Sequence, residues 1–256
     1  MVLNEAQVML WLGHFLWPFL RITGLLLTAP VYGSPLIPGM VKAALAAALA
    51  AVLALWLPGL PPFPGDPLSA IYTGLIQIAF GAMLGMVMQI VISAVAGAGE
   101  IAGLAMGLSF AELQFRASPG MTPVLYDIML WAGMLGYMAV GGPLWLFAAV
   151  AHSFEHGVGV GGIGSLSALA ALGGTLLSSA VVLAMPVLAV SLCVNLTVGL
   201  TSVFAPQMNL LTIGFPLLIL AGLWVLSGSV FYLGHDLEQL MGVATGALNG
   251  MLGRHG

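Results

Sequence analysis

SALAALGGTLLSSAVVLAMPVLAVSLCVNLTVGLTSVF, residues 167–204, contains no Asp, Glu, Lys, Arg or His, and the same holds for the whole stretch from Gly157 to Gly234. Water does not wet a segment of this kind; it needs lipid or other protein around it. The rest of the chain follows suit. Of 256 residues, four are basic and eight acidic, and 61% are hydrophobic. A soluble domain carries charge on about a quarter of its residues, so the chain reads as an integral membrane protein.

A helix needs about 20 mostly apolar residues to cross the hydrocarbon core. Six runs meet that requirement: 6–29, 40–57, 68–98, 124–151, 167–204 and 213–234. The first lacks a basic flank and a small-residue cleavage site, so it reads as retained rather than as a signal peptide. Cys193 stands alone in an apolar run, which excludes an internal disulfide. A net charge of −4 with four basic residues argues against nucleic acid as a partner, because phosphates need Lys and Arg. Those four residues, Arg21, Lys42, Arg116 and Arg254, are too few and too scattered to set an orientation by the positive-inside rule.

Breaks between the runs carry the remaining information. Pro30–Pro38 predicts a sharp turn, and PGLPPFPGDP, residues 58–67, a stiff surface connection. Pro186 and Pro216 are expected to kink the fifth and sixth runs. Gly81 and Gly85 form GxxxG, and Gly99, Gly103 and Gly107 repeat the spacing. Such residues let helices approach closely, with packing inside one bundle favoured over a dedicated oligomer contact. ELQFRASPGMTP, residues 112–123, is a polar break holding Phe115 and Met121. It is either a connection in water or a segment inside a protein-lined cavity, where irregular backbone survives at membrane depth. Gly157–Gly164 and Ala205–Gly214, with APQMN, are the last breaks.

Few residues offer chemistry. HSFEH, residues 152–156, fits the H-x-x-E-H pattern of inverted zinc peptidases. Third-ligand candidates are distant acidic residues such as Asp236 and Glu238, and a helix end at the water interface explains His and Glu without a metal. Ser165 lacks a histidine in its own surroundings to activate it. Asn195-Leu-Thr197 has the form of a glycosylation sequon but lies in an apolar run. The 15 methionines read first as core filling. A charge at the bilayer centre costs on the order of 3 kcal/mol, so Arg21 and Glu100 are expected at interhelical or intersubunit polar contacts. Asp127 reads as a helix-start residue.

Three ordered strings resemble the FliR family of flagellar type III export-gate subunits, related to the SctT subunits of injectisomes. They are RITGLLLTAPVYGSPLIPGMVKAALA (21–46), AGLAMGLSFAELQF (102–115) and MPVLAVSLCVNLTVGLTSVFAPQMNLLTIGFPL (185–217). Gly214-Phe-Pro216 leans toward the flagellar branch. The resemblance implies an all-α chain of membrane-associated helical hairpins within a closed helical assembly, one FliR-type domain over residues 1–256. It also implies a non-enzymatic role without cofactor or metal, helping to form and plug the channel through which unfolded flagellar proteins pass. The implied partners are FliP, FliQ, FlhB and FlhA, and the implied location is the basal body in the bacterial inner membrane. The loop 107–123 resembles the family's plug, with Phe110, Phe115, Met121 and Met106 as its stoppers. Here it carries Glu112, Gln114 and Arg116 where the family's tract is more Asp-Pro-like. Arg21, Glu100, Gln207 and Asn209 are the interface or buried polar candidates. On the residues' own terms, a polar, Gly/Pro-containing loop with isolated Phe and Met suits a displaceable seal, since apolar constrictions block ions by dewetting. The rival readings are a secondary transporter or channel for a small solute, which favours paired broken helices, and a metallopeptidase built on HSFEH.

Overall fold

The computed structural model describes residues 5–57, 60–108, 123–154, 162–204 and 214–251. Every regular element among them is a helix: α1 (Glu5–Thr28), α2 (Gly39–Trp56), α3 (Pro67–Ala105), α4 (Val124–Ala139), α5 (Gly142–Ser153), α6 (Gly162–Phe204), α7 (Phe215–Val230) and α8 (Leu233–Met251). Four are long and apolar enough to cross a membrane, and the number rises to six if the pairs α4–α5 and α7–α8 each count as one broken span.

The chain divides into two compact units, the first made of Met1–Ile90, Gly141–Leu172 and Val243–Gly256. Its centre is a close crossing of α1 and α3. A Cβ on Gly81 would strike the carbonyl of Arg21, one on Gly24 the carbonyl of Ile78, and one on Gly85 the hydroxyl of Thr28. Backbones this near suit a bundle in lipid, where the hydrophobic effect gives helices no reason to associate and close packing must do so. Thr28 Oγ1 reinforces the crossing by donating to the Ala82 carbonyl at 2.8 Å. The expected turn after α1 is present, with Gly33 N donating to the Ala29 carbonyl at 2.7 Å. Within it Val31 sits at φ 68°, an unfavourable value for a β-branched residue. The proline-rich connection is tied to α1: Trp17 Nε1 donates to the Pro61 carbonyl at 3.0 Å and the Trp17 and Phe63 rings stack at 5.6 Å.

The second unit comprises Val91–Val140 and Gly173–Gly242. There α4 buries Leu125, Met129, Gly133 and Tyr137, residues four apart and so on one helical face. That face meets α3, where Gly99 leaves room for the Leu125 carbonyl and the Met129 side chain, and Gly133 in turn admits Val95 and Ile92. The inward face of α7 is Leu218, Gly222 and Leu226, again four apart.

Three sequence expectations change. The apolar run 124–151 is not one helix, because Gly141 takes φ 78° and ends α4 before Pro143 starts α5. Pro216 does not kink a helix; it occupies the first turn of α7, where a missing N–H costs nothing. Pro186 does lie inside α6. The run 213–234 ends at Val230, and a further helix, α8, follows a 64° bend. Leu233, Leu237, Leu240, Met241 and Ala244 form the buried stripe of α8, with His235, Glu238 and Gln239 exposed.

Candidate functional site

The polar loop 107–123 is held at both ends by the second unit. Gly107, at φ 75°, turns the chain out of α3 in the left-handed region that glycine tolerates. Its bare Cα also faces the Phe215 ring at the start of α7, which a Cβ there would approach to 2.7 Å. One residue earlier, Met106 is fully buried, with its side chain against Gly222 of α7. At the other end Pro123, with extended ψ, sets the start of α4. Two residues on, Leu125 packs its backbone on Gly99 and its side chain on Gly103 of α3. Both feet therefore stand on the last turns of α3. Phe110, Phe115 and Met121 lie outside the described residues. Of the four expected stoppers Met106 is described, and it packs in the core of the unit.

The same last turns of α3 sit beside Phe215, the residue after the Ala205–Gly214 break. Gln207 and Asn209 fall in that break and lie outside the described residues. Glu100 is exposed on α3. Asp127 is in the first turn of α4, where the helix N-terminus favours a carboxylate.

Arg21 forms a polar centre in the first unit. Only 1% of its surface is accessible. Its Nε donates to Gln77 Oε1 at 2.7 Å, and its Nη1 donates to Ser153 Oγ at 2.6 Å. Ser153 Oγ in turn donates a hydrogen bond to the Val150 carbonyl at 2.6 Å. The guanidinium carbon lies 3.8 Å from the Phe154 ring centroid and 4.7 Å from that of Phe80. Its charge thus rests on neutral dipoles and two π faces, each a favourable contact once water is excluded. Neither Gln77 nor Ser153 titrates, and the hydrogen bonds tie α1, α3 and α5 together. No partner for Arg21 is visible in the sequence; Gln77 and Ser153 stand 56 and 132 residues away, beyond any local spacing rule.

HSFEH does not gather into a site among the described residues. His152 is in the last turn of α5, and Glu155 and His156 lie outside the described residues. Among the described residues no three His, Cys, Asp or Glu side chains stand together as a metal site.

Comparison with known proteins places the chain by similarity. Residues 12–243 match the family described as "Bacterial export proteins, family 1". The chain is 35% identical over 226 residues to the flagellar biosynthetic protein FliR of Escherichia coli (strain K12), covering 86% of this chain and 85% of that protein. FliR of Pectobacterium carotovorum subsp. carotovorum is 32% identical over 228 residues, with 87% and 86% covered. FliR of Aquifex aeolicus (strain VF5) is 30% identical over 228 residues, with 87% and 85% covered.

Proposed function

We propose that this chain, which belongs to family 1 of the bacterial export proteins, is a non-enzymatic subunit of the flagellar type III export gate that helps to form and plug the protein-conducting channel. The observation that carries the reading is the clamping of both ends of the loop 107–123 at one end of α3, by Gly107 on Phe215, Met106 on Gly222, and Leu125 on Gly99 and Gly103. A seal has to stay in register with the pore while its middle is pushed aside by cargo. Fixed feet supply the register, and the Ser118-Pro-Gly120 sequence within a polar stretch suits a segment that cargo displaces. Phe110, Phe115 and Met121 then serve as the apolar stoppers, since a dewetted constriction blocks ions without charge.

In this reading the chain acts with FliP, FliQ, FlhB and FlhA in the bacterial inner membrane, at the base of the flagellum. Unfolded flagellar proteins are the cargo. The names of the relatives support the flagellar branch, and the four to six apolar helices support a multi-pass placement.

The test is to remove Ala111–Thr122 from the chain in cells that make all the partner subunits. The expected result is an assembled complex that leaks small ions, read as growth inhibition and as conductance in planar bilayers. Assembly at normal yield with an ion-tight membrane would refute the plug.

A further inference from the structure

The second unit contains an open cavity of about 230 Å³ lined by α3, α4, α6 and the α7–α8 elbow, and a smaller one of about 170 Å³ beside it. They share Val182, Leu183 and Asp236, so they form one groove with Asp236 at its middle. Its walls are otherwise mainly apolar, with Pro186, Leu226 and Tyr232 among them.

The polar atoms of this groove are mostly acceptors. Ser229 donates its hydroxyl proton to the Leu226 carbonyl at 2.8 Å, and Ser178 and Ser179 donate theirs to the Thr175 carbonyl at 2.6 and 2.9 Å. That leaves those oxygens with lone pairs only. Pro186 has no N–H to offer the Val182 carbonyl four residues before it, a donor that any other residue would supply. Gln239 turns its amide nitrogen to His235 Nε2 at 3.0 Å. No described group donates to or pairs with the carboxylate of Asp236, whereas Asp66 of the first unit receives the Ser69 N–H at 3.1 Å. The described residues of the second unit include no Lys or Arg.

We propose that this groove seats one lysine or arginine side chain carried on an apolar helix of another protein subunit, its cationic head paired with Asp236. The fit has three parts. A long basic side chain has an apolar stem to line the walls and a head made only of donors. The groove has the volume of a side chain, not of a helix. Of its lining residues Val182, Val230 and Tyr232 are exposed, a largely apolar edge that suits an apolar helix lying across it. An amine-headed lipid fits less well, since it brings a phosphate against a carboxylate with no described cation nearby to offset it. The proposal does not depend on the loop 107–123 being a plug.

The test uses the whole assembly, isolated from its native membrane through a tag on this chain, with co-isolating subunits quantified by mass spectrometry. Asp236→Asn and Asp236→Lys are expected to lower recovery of at least one subunit about tenfold or more, since each leaves a buried cation unpaired. The tagged chain itself should persist at its normal level in the membrane, and Asp236→Glu should keep the wild-type recovery. In the Asp236→Lys strain, replacing one Lys or Arg in an apolar segment of the lost subunit by Asp should restore it. Wild-type recovery with Asp236→Asn overturns the proposal, and because that change preserves size it does so even if Asp236→Lys fails to fold. Failure of every such charge exchange overturns it as well. So does native mass spectrometry showing that Asp236→Asn sheds an amine-headed lipid and keeps all subunits.

Discussion

A single cation, Arg21, joins three helices of the first unit without a described carboxylate to balance it. Its two hydrogen bonds fix direction as well as energy, because the guanidinium is a planar fork. Gln77→Leu removes one acceptor while leaving the charge in place. The expected cost is about 1–3 kcal/mol, the penalty of an unmade bond to a buried group, read as a lower melting temperature of the isolated complex. Arg21→Lys should fall short of wild type by a similar margin, since a lysine cannot reach both Gln77 and Ser153 in the same geometry. Glycine gives a second expectation at this scale. Gly81→Ala places a methyl on the Arg21 carbonyl and should lower the amount of chain in the membrane, whereas Gly174→Ala meets nothing within 4 Å. The second change removes a helix-weakening glycine and should be neutral or stabilising by up to about 1 kcal/mol. Equal levels of the two variants on an immunoblot would show that α1 and α3 cross less closely than this geometry requires.

The loop feet belong to the helices that carry them. Gly107→Ala forces a side chain into the left-handed region and onto the Phe215 ring. The expected outcome is a chain that assembles but leaks ions, while Gly97→Ala, whose added methyl meets only Ala180 at 3.9 Å, stays tight in the same conductance assay. How far these elements could be read from sequence depends on what made them. Apolar length located α1, α2, α3 and α6, because a membrane-sized hydrophobic run has few alternatives to a helix. It did not show the stop at Gly141, since a left-handed glycine interrupts a helix without changing its hydrophobicity. Nor did it show α8 as a separate helix, because His235, Asp236, Glu238 and Gln239 interrupt its inward stripe from Leu233 to Ala244. Pro216 was ambiguous for a related reason: a proline inside a helix and one at its first turn look alike until the start of the helix is known. The partners of Arg21 were hidden by sequence distance. The loop itself stood out, as the one break mixing charge, a Ser-Pro-Gly turn and isolated Phe and Met, but its clamping needed the fold.

Much of the apolar surface of the described helices is exposed. Within their most apolar stretches α3 is 56% buried, whereas α6 is 22% and α2 only 11% buried. Along α6, Leu192, Leu196, Leu200 and Val203 are exposed at spacings of four, four and three residues, a continuous greasy face. Lipid and protein neighbours both satisfy such a face, but they respond differently to bulk. Fluid acyl chains flow around an added ring at little cost, while a close-packed helix interface loses about 1–3 kcal/mol when overfilled. A gate subunit surrounded by other subunits should therefore tolerate bulk poorly here. Leu196→Trp and Leu200→Trp keep the surface apolar and the span insertable, so they separate the two cases cleanly. The expected result is an unchanged amount of chain in the membrane with roughly tenfold less co-isolated complex, by the arithmetic of about 1.4 kcal/mol per decade. The single cysteine gives an independent reading of the same face: Cys193 is exposed on α6 in the chain alone and should react with a thiol reagent in detergent. In the assembled complex it should be protected. If both tryptophan variants assemble fully and Cys193 labels equally in the two preparations, lipid rather than protein lies against α6, and the chain sits at the rim of its assembly instead of within the wall.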